Sequence, residues 1–252
     1  MSALSAALQG GRRLATRAAY EAKTIAAAYP SLAVPAARWR GHGEVVAPDT
    51  HILIEGYPRS ANQFAVAAFR LAQGRPVSVA HHTHAPGHVL AALRLGVPAL
   101  VLIREPEESI LEFLIVRPHL TIRQVLRGWV RFYSTLAPHR SRFVTGAFRD
   151  VIGDYGAVIR HVNRRFSTRF AEFDHTEENV RECFRQMDAY WHERVGPAGS
   201  IEAYVGRPSD ERERRKDAMR HAYRQTPAAL RRRAEALYRT YTGEHVGERE
   251  AE

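Results

Sequence analysis

The chain has 252 residues, 45% of them hydrophobic and 25% charged, with a formal net charge of +10. Length and apolar content suit one large globular domain with a substantial core and exclude a disordered chain. A single cysteine, Cys183, excludes an intramolecular disulfide framework. Of the 37 basic residues lysine supplies only Lys23 and Lys216, and the remaining 35 are arginine. That skew reads as coding bias, which discounts the charge as a sign of nucleic-acid binding. A basic cleft would still favour a polyanionic ligand.

Residues 3–29 are alanine-rich with interspersed arginines and predict a helix that Pro30 ends. This basic amphipathic arm is expected to pack on the domain rather than to lie on a membrane surface. Arg12, Arg13 and Arg17 interrupt its apolar residues, so it lacks a signal-peptide core. No run of about 18 apolar residues occurs anywhere, so no membrane span is expected and the cytoplasm is the expected compartment. Residues 31–49 carry proline and glycine and predict an irregular linker. The expected division is therefore 1–49, a helical arm and linker, and 50–252, a single domain.

From residue 50 onward, short apolar runs alternate with helical patterns. Strands are predicted near 51–55, 77–82, 99–103 and 142–147. Helices are predicted near 60–73, 87–95, 106–115, 121–136 and 150–165. The strands lack polar alternation, which suits a parallel sheet covered on both faces, and the order implies a three-layer α/β fold. The last third is helical, near 176–195, 208–223 and 227–241, with Asp174 and Thr176 as caps for the first of these. Tyr190, Trp191, Tyr223 and Tyr238 are its expected packing residues. Trp129, Phe132 and Tyr133 share one predicted helix, where core packing is favoured over an apolar ligand pocket.

The most informative stretch is His51-Ile-Leu-Ile-Glu-Gly56-Tyr-Pro-Arg-Ser-Ala-Asn-Gln-Phe64. It reads as strand, tight turn and helix. Such a unit aims unpaired backbone N–H groups and the positive end of the helix dipole at one point, where a tetrahedral oxyanion can sit. Arg59 adds a fixed charge. The lysine and metal-binding hydroxyl of a nucleoside-triphosphate loop are absent, since Asn62 and Gln63 occupy those positions.

Two later segments complete a pattern. His82-Thr83-His84-Ala85-Pro86 follows the mostly apolar run 77–80, and Arg104-Glu105-Pro106 follows the apolar run 99–103. With Pro58-Arg59-Ser60-Ala61-Asn62-Gln63-Phe64, their order resembles the PAPS-dependent sulfotransferase family, which has a PKSGTTW or PRSGTT loop, a KTHLP segment and RxPxxxxxS. The resemblance covers about 50–165. It implies a P-loop-like fold, a parallel sheet flanked by helices with a helical C-terminal third. It also implies transfer of a sulfuryl group from 3′-phosphoadenylyl sulfate (PAPS) to a hydroxyl or amine of a small molecule or glycan, without a metal. His84 falls on the family's base, and its ordinary pKa of about 6.5 suits that task. Arg59 would stabilise the leaving oxygen by charge and hydrogen bonding. Ser60, Ala61, Asn62 and Gln63 would cradle the phosphosulfate, Phe64 and Phe148 would lie near the adenine, and Arg104 would hold the 3′-phosphate.

The family's serine, eight residues past its arginine, is here Glu112, an anion facing an anion, with Ser109 one helical turn earlier. Arg215-Lys216-Asp217 is a faint match to the family's last loop. Three alternatives stay open: a phosphotransferase on the same scaffold, a non-catalytic protein that binds an anion, and zinc held by His82, His84 and His88. No RNA-binding aromatic motif or helix-turn-helix signature supports a nucleic-acid partner. The oligomeric state is left open.

Overall fold

The computed structural model describes residues 3–41, 44–196, 201–202 and 204–243. It begins with two helices, α1 (Ala3–Ala26) and α2 (Pro30–Arg40). The sequence predicts one helix ended by Pro30 and an irregular linker beyond it. Instead Pro30 opens a second helix, because proline at the first helical position loses no hydrogen bond and comes with its φ already set. Gly41, at φ 62°, closes α2 in the left-handed conformation.

Four strands follow: β1 (Ile52–Gly56), β2 (Val79–His81), β3 (Ala99–Ile103) and β4 (Val144–Ala147). They form one parallel sheet in the order β2-β1-β3-β4. Leu53 of β1 pairs with Ala80 on one side and Ala99 on the other. Between the strands lie α3 (Asn62–Ala72), α4 (Pro86–Leu95), α5 (Pro106–Val116) and α6 (Ile122–Leu136). After β4 come α7 (Phe148–Gly153), α8 (Tyr155–Phe166), α9 (Glu177–Val195), α10 (Asp210–Arg224) and α11 (Ala228–Thr242).

Both faces of the sheet are buried, as unalternating strands require. Leu53, Val101 and Ile103 face a core filled from α4, α5, α6 and α11. Ile52, Ile54, Leu100 and Leu102 face a second core filled from α3, α8 and α9. This is the expected three-layer α/β architecture. No helix among the described residues is long and apolar enough to cross a membrane.

Three local expectations need correction. The helix predicted over 150–165 is two, because Asp154 leaves the helical conformation and its carboxylate accepts from the Ala157 N–H at 3.0 Å, capping α8. Thr176 caps α9 through its hydroxyl, whereas Asp174 contributes only its carbonyl, which accepts from the Asn179 side chain. Tyr190 is exposed under the Arg194 guanidinium, while Trp191 stacks on Tyr204, and Tyr223 and Tyr238 are buried. Trp129, Phe132 and Tyr133 are all buried in the core, as expected.

The arm packs firmly. The Arg17 Nε donates to the His119 carbonyl at 2.9 Å, Glu21 pairs with Arg127 at 2.5 Å, and the Tyr20 hydroxyl lies 2.7 Å from that of Tyr57. The α1–α2 corner rests on the first turn of α4, where the Gly87 N–H donates to the Ala27 carbonyl at 2.8 Å. A Cβ on Gly87 would meet that carbonyl oxygen and the Tyr29 backbone, both at 2.8 Å. Backbone cannot yield as a side chain can. Gly87→Ala is therefore expected to destabilise the fold by about 1–3 kcal/mol, read as a lower urea midpoint; an unchanged midpoint would contradict this seating of the arm.

Candidate functional site

The turns that leave β1 and β2 lie side by side at the carboxyl end of the sheet, where ligands of open α/β folds bind. Five non-glycine residues have positive φ among the described residues, and four of them are here: Arg59, Ala61, His82 and His84. Each costs about 1–2 kcal/mol. Strain that is concentrated in two adjacent turns points to a functional site.

Beneath these turns lies Glu55, a fully buried carboxylate. Its Oε2 accepts from the Thr83 N–H at 2.9 Å and from the Thr83 hydroxyl at 2.7 Å, and its Oε1 accepts from the Gly56 N–H at 3.2 Å. Burial alone would raise its pKa. The hydrogen bond from His88, the nearby imidazole of His84 and the Thr83 hydroxyl outweigh that and hold it at about 2.

The histidine tautomers follow from partners that can play only one role. The Val46 N–H donates to His88 Nε2 at 2.8 Å, so the His88 proton is on Nδ1, aimed at Thr83 Oγ1 and Glu55. Both His88 nitrogens are thereby committed, and the three-histidine zinc alternative loses a ligand. Arg70 can only donate, and it meets His81 Nε2 at 3.3 Å. His81 therefore carries its proton on Nδ1 and donates to His82 Nδ1 at 2.6 Å, which leaves the His82 proton on Nε2. That N–H is buried without an acceptor. His82 stands 5.8 Å from His84, ring centre to ring centre.

The Gly56 carbonyl can only accept, and it lies 2.8 Å from His84 Nδ1. Glu55 is 3.6 Å from the same nitrogen. His84 thus holds its proton on Nδ1, and its Nε2 lone pair has no hydrogen bond among the described residues. Burial lowers the His84 pKa, and Lys23 and Arg59 lower it further, against the opposing pull of Glu55 and the Gly56 carbonyl. The result is a neutral, oriented imidazole with an open Nε2, which is the form a general base needs.

Next to it lies the turn before α3. The N–H groups of residues 60–64 have no backbone or side-chain acceptor among the described residues. The sequence-predicted residues divide here. Ala61 is left-handed and opens α3. Asn62 Nδ2 is turned back to the Tyr57 carbonyl at 3.0 Å, and its Oδ1 is buried without a partner. Gln63 makes no side-chain hydrogen bond among the described residues. Ser60 is fully buried, with its hydroxyl 3.5 Å from that of Tyr133, so only its backbone faces the turn. The Phe64 ring is packed among Phe173, His175 and Phe184 in the core.

Arg59 is turned away from the cradle. It donates to the Tyr204 carbonyl at 2.8 Å and to Glu112 at 3.2 Å. Glu112, buried on α5, also meets Arg212 at 3.7 Å and Lys216 at 3.9 Å. Arg104 donates to the Arg59 carbonyl and to Glu108, both at 3.4 Å, and its guanidinium lies 4.1 Å over the Phe148 ring. Glu108 is shared with Lys216 at 2.6 Å and Arg220 at 2.8 Å. The cations near Arg104 are thus paired with carboxylates of both α5 and α10, Glu213 and Asp217 among them. Ser109 donates to the Pro58 carbonyl at 3.0 Å and braces the turn. An open cavity of about 550 Å³ lies elsewhere, along α9, lined by Glu178, Arg181, Phe184, Arg185 and Arg207. The chemistry is placed by His84 and the turns, since three arginines of that cavity are already paired with carboxylates.

Glu55, the His82 Nε2 proton and Arg212 were not among the expected site residues. A lone carboxylate inside an apolar strand run was the available signal for Glu55, because such a group is buried only with partners. Arg212, one turn from Lys216 on a charged helix, looks like a solvated face in sequence.

No family model matches this chain, and no curated protein matches it in sequence. Among solved structures, the mouse sulfotransferase SULT7A1 complexed with PAP is similar at a TM-score of 0.38 and 11% identity, over 76% of this chain and 90% of that one. At that distance the likeness carries no argument, and the chain's own residues must supply it.

The buried histidines set a pH dependence. Burial, then the charge of Arg70, lowers His81 from 6.5 to about 4, and burial, then His81 and His84, lowers His82 well below its ordinary value. The unfolded chain therefore takes up these protons first as pH falls. Stability should be complete above about pH 6.5 and decline towards pH 4, with a shallower decline for His81→Gln. Urea unfolding at stepped pH checks this, and a stability flat across that window would contradict the tautomer network.

Proposed function

We propose that the chain is a sulfotransferase that moves a sulfuryl group from PAPS to a hydroxyl or amine of a small-molecule or glycan acceptor. The observation that carries this is His84, whose Nδ1 is held by the Gly56 carbonyl while Nε2 stays open beside the unpaired N–H groups of residues 60–64. A fixed base next to an oxyanion cradle is what in-line transfer to a hydroxyl requires. His84 Nε2 takes the acceptor proton as the acceptor oxygen bonds to sulfur. The bridging sulfur–oxygen bond breaks, and the cradle N–H groups stabilise the charge left on the phosphate oxygen. Arg59 contributes once its guanidinium leaves Glu112 for the cradle. Arg104 over Phe148 is the group for the 3′-phosphate. The absent lysine and hydroxyl disfavour a phosphotransferase that depends on bound magnesium.

Glu112 favours a second reading. Its single negative charge lies among Arg59, Arg212 and Lys216 where a 3′-phosphate would otherwise sit, so an anion can bind at the turn without any 3′-phosphate being selected. Calorimetric titration with 3′,5′-ADP and 5′-AMP separates the two. The sulfotransferase reading expects binding that needs the 3′-phosphate; equal affinities would favour the anion binder. With an acceptor in hand, His84→Ala should lower turnover by about 10²–10⁴ and leave 3′,5′-ADP affinity nearly intact. Collapse of that affinity would make His84 a binding residue instead.

A further inference from the structure

The helix α2 is built inside out. Its buried residues are the small Ala33 and Ala37, and its large apolar side chains face water. Leu32, Pro35, Ala36 and Trp39 follow the i, i+3, i+4, i+7 spacing of an apolar stripe, opposite the side that packs. Leu32 is 52% exposed and Trp39 87%. Ile25 and Tyr29, at the corner between α1 and α2, are about half exposed and extend the same apolar surface. A helix that only had to cover the domain would not carry a bare tryptophan and leucine on one outward line.

The charges around this surface are of one sign. Arg38 and Arg40 flank Trp39, and Lys23 is exposed on α1. Lys23, Arg40 and Arg117 make no ion pair among the described residues. Burial, then the charges of Arg40 and Arg117, lowers the pKa of Lys23, which places both guanidiniums near its ammonium. The nearest carboxylates in sequence are turned elsewhere, Glu21 to Arg127 and Arg131 and Glu44 to Arg70. At this surface, cations without a carboxylate partner among the described residues coincide with bare apolar side chains.

We propose that the outward face of α2, with the α1–α2 corner, docks on an anionic lipid bilayer surface. Tryptophan and leucine enter the interfacial region, and the surrounding cations answer the negative headgroups. The corner touches Gly87, three residues from His84, so docking would bring the surface close to that imidazole. The docking itself stands whether or not the sulfuryl-transfer reading holds.

Co-sedimentation of the full chain with vesicles tests this, using phosphatidylcholine alone and phosphatidylcholine mixed with phosphatidylglycerol. Sedimentation is expected with the mixed vesicles only, weakening as salt rises. Leu32→Ser with Trp39→Ser, both outside the core, should fold normally by circular dichroism and lose at least about tenfold in binding. Lys23→Ala with Arg40→Ala should lose about fivefold for each residue. Wild-type chain that stays in solution, or a serine variant that binds as well as wild type, overturns the proposal. So does light scattering that shows a wild-type dimer made monomeric by the serine substitutions, since that result would give the face to a second copy.

Discussion

A buried carboxylate organises this molecule's site. Glu55 stands in β1, one of the two inner strands of the sheet, just before the first strained turn, and it holds the turn after β2 through Thr83. It gathers the Thr83 N–H and hydroxyl, approaches His88 and His84, and caps the Gly56 N–H. An isolated buried carboxylate would be untenable, and this one is kept ionised by the donors around it. Those donors in turn fix the turn after β2. The left-handed conformations of His82 and His84 are tolerated because the network over-determines them. Removing Glu55 would release the turn after β2, and with it the geometry of His84.

Charge is distributed in two different ways over the rest of the site. Around His84 the histidines are neutral, and the carboxylate they gather around is Glu55. Around Arg59 and Arg104 there are many full charges, and carboxylates of α5 and α10 pair with them. The first arrangement is poised for proton transfer. The second is a closed electrostatic circuit that an incoming polyanion must open, with Glu112 as the group it would displace. The two halves meet at Arg59, whose carbonyl accepts from Arg104 and whose side chain is held by Glu112.

The fold was legible in the sequence because its signals are local and strong. Unalternating apolar strands gave a parallel sheet, and Thr176 marked a helix start where the structure has it. Pro30 misled, since a proline can end one helix and open the next, and the Ala33/Ala37 seam of α2 is too small-sided to show as an amphipathic stripe. In the site, the positions of Arg59, His84 and Arg104 were visible as turn residues after strands. Their partners were not. Whether Ser60 faces the ligand or Tyr133, or whether Phe64 faces a base or Phe184, depends on which side of a turn a side chain leaves, and no pattern of residue types encodes that. Glu112 was seen as a substitution, but only three-dimensional packing shows that α10 supplies it with Arg212 and Lys216.

The central claim is that His84 is a neutral imidazole with its proton on Nδ1 and a free Nε2. Long-range proton–nitrogen correlation NMR at neutral pH reads this directly, with the His84 ring assigned by its loss in His84→Asn. A protonated Nδ1 with an unprotonated, basic-type Nε2 is the predicted signature. An imidazolium, or a proton on Nε2, would contradict the account, because neither could accept a proton from a substrate hydroxyl in this geometry.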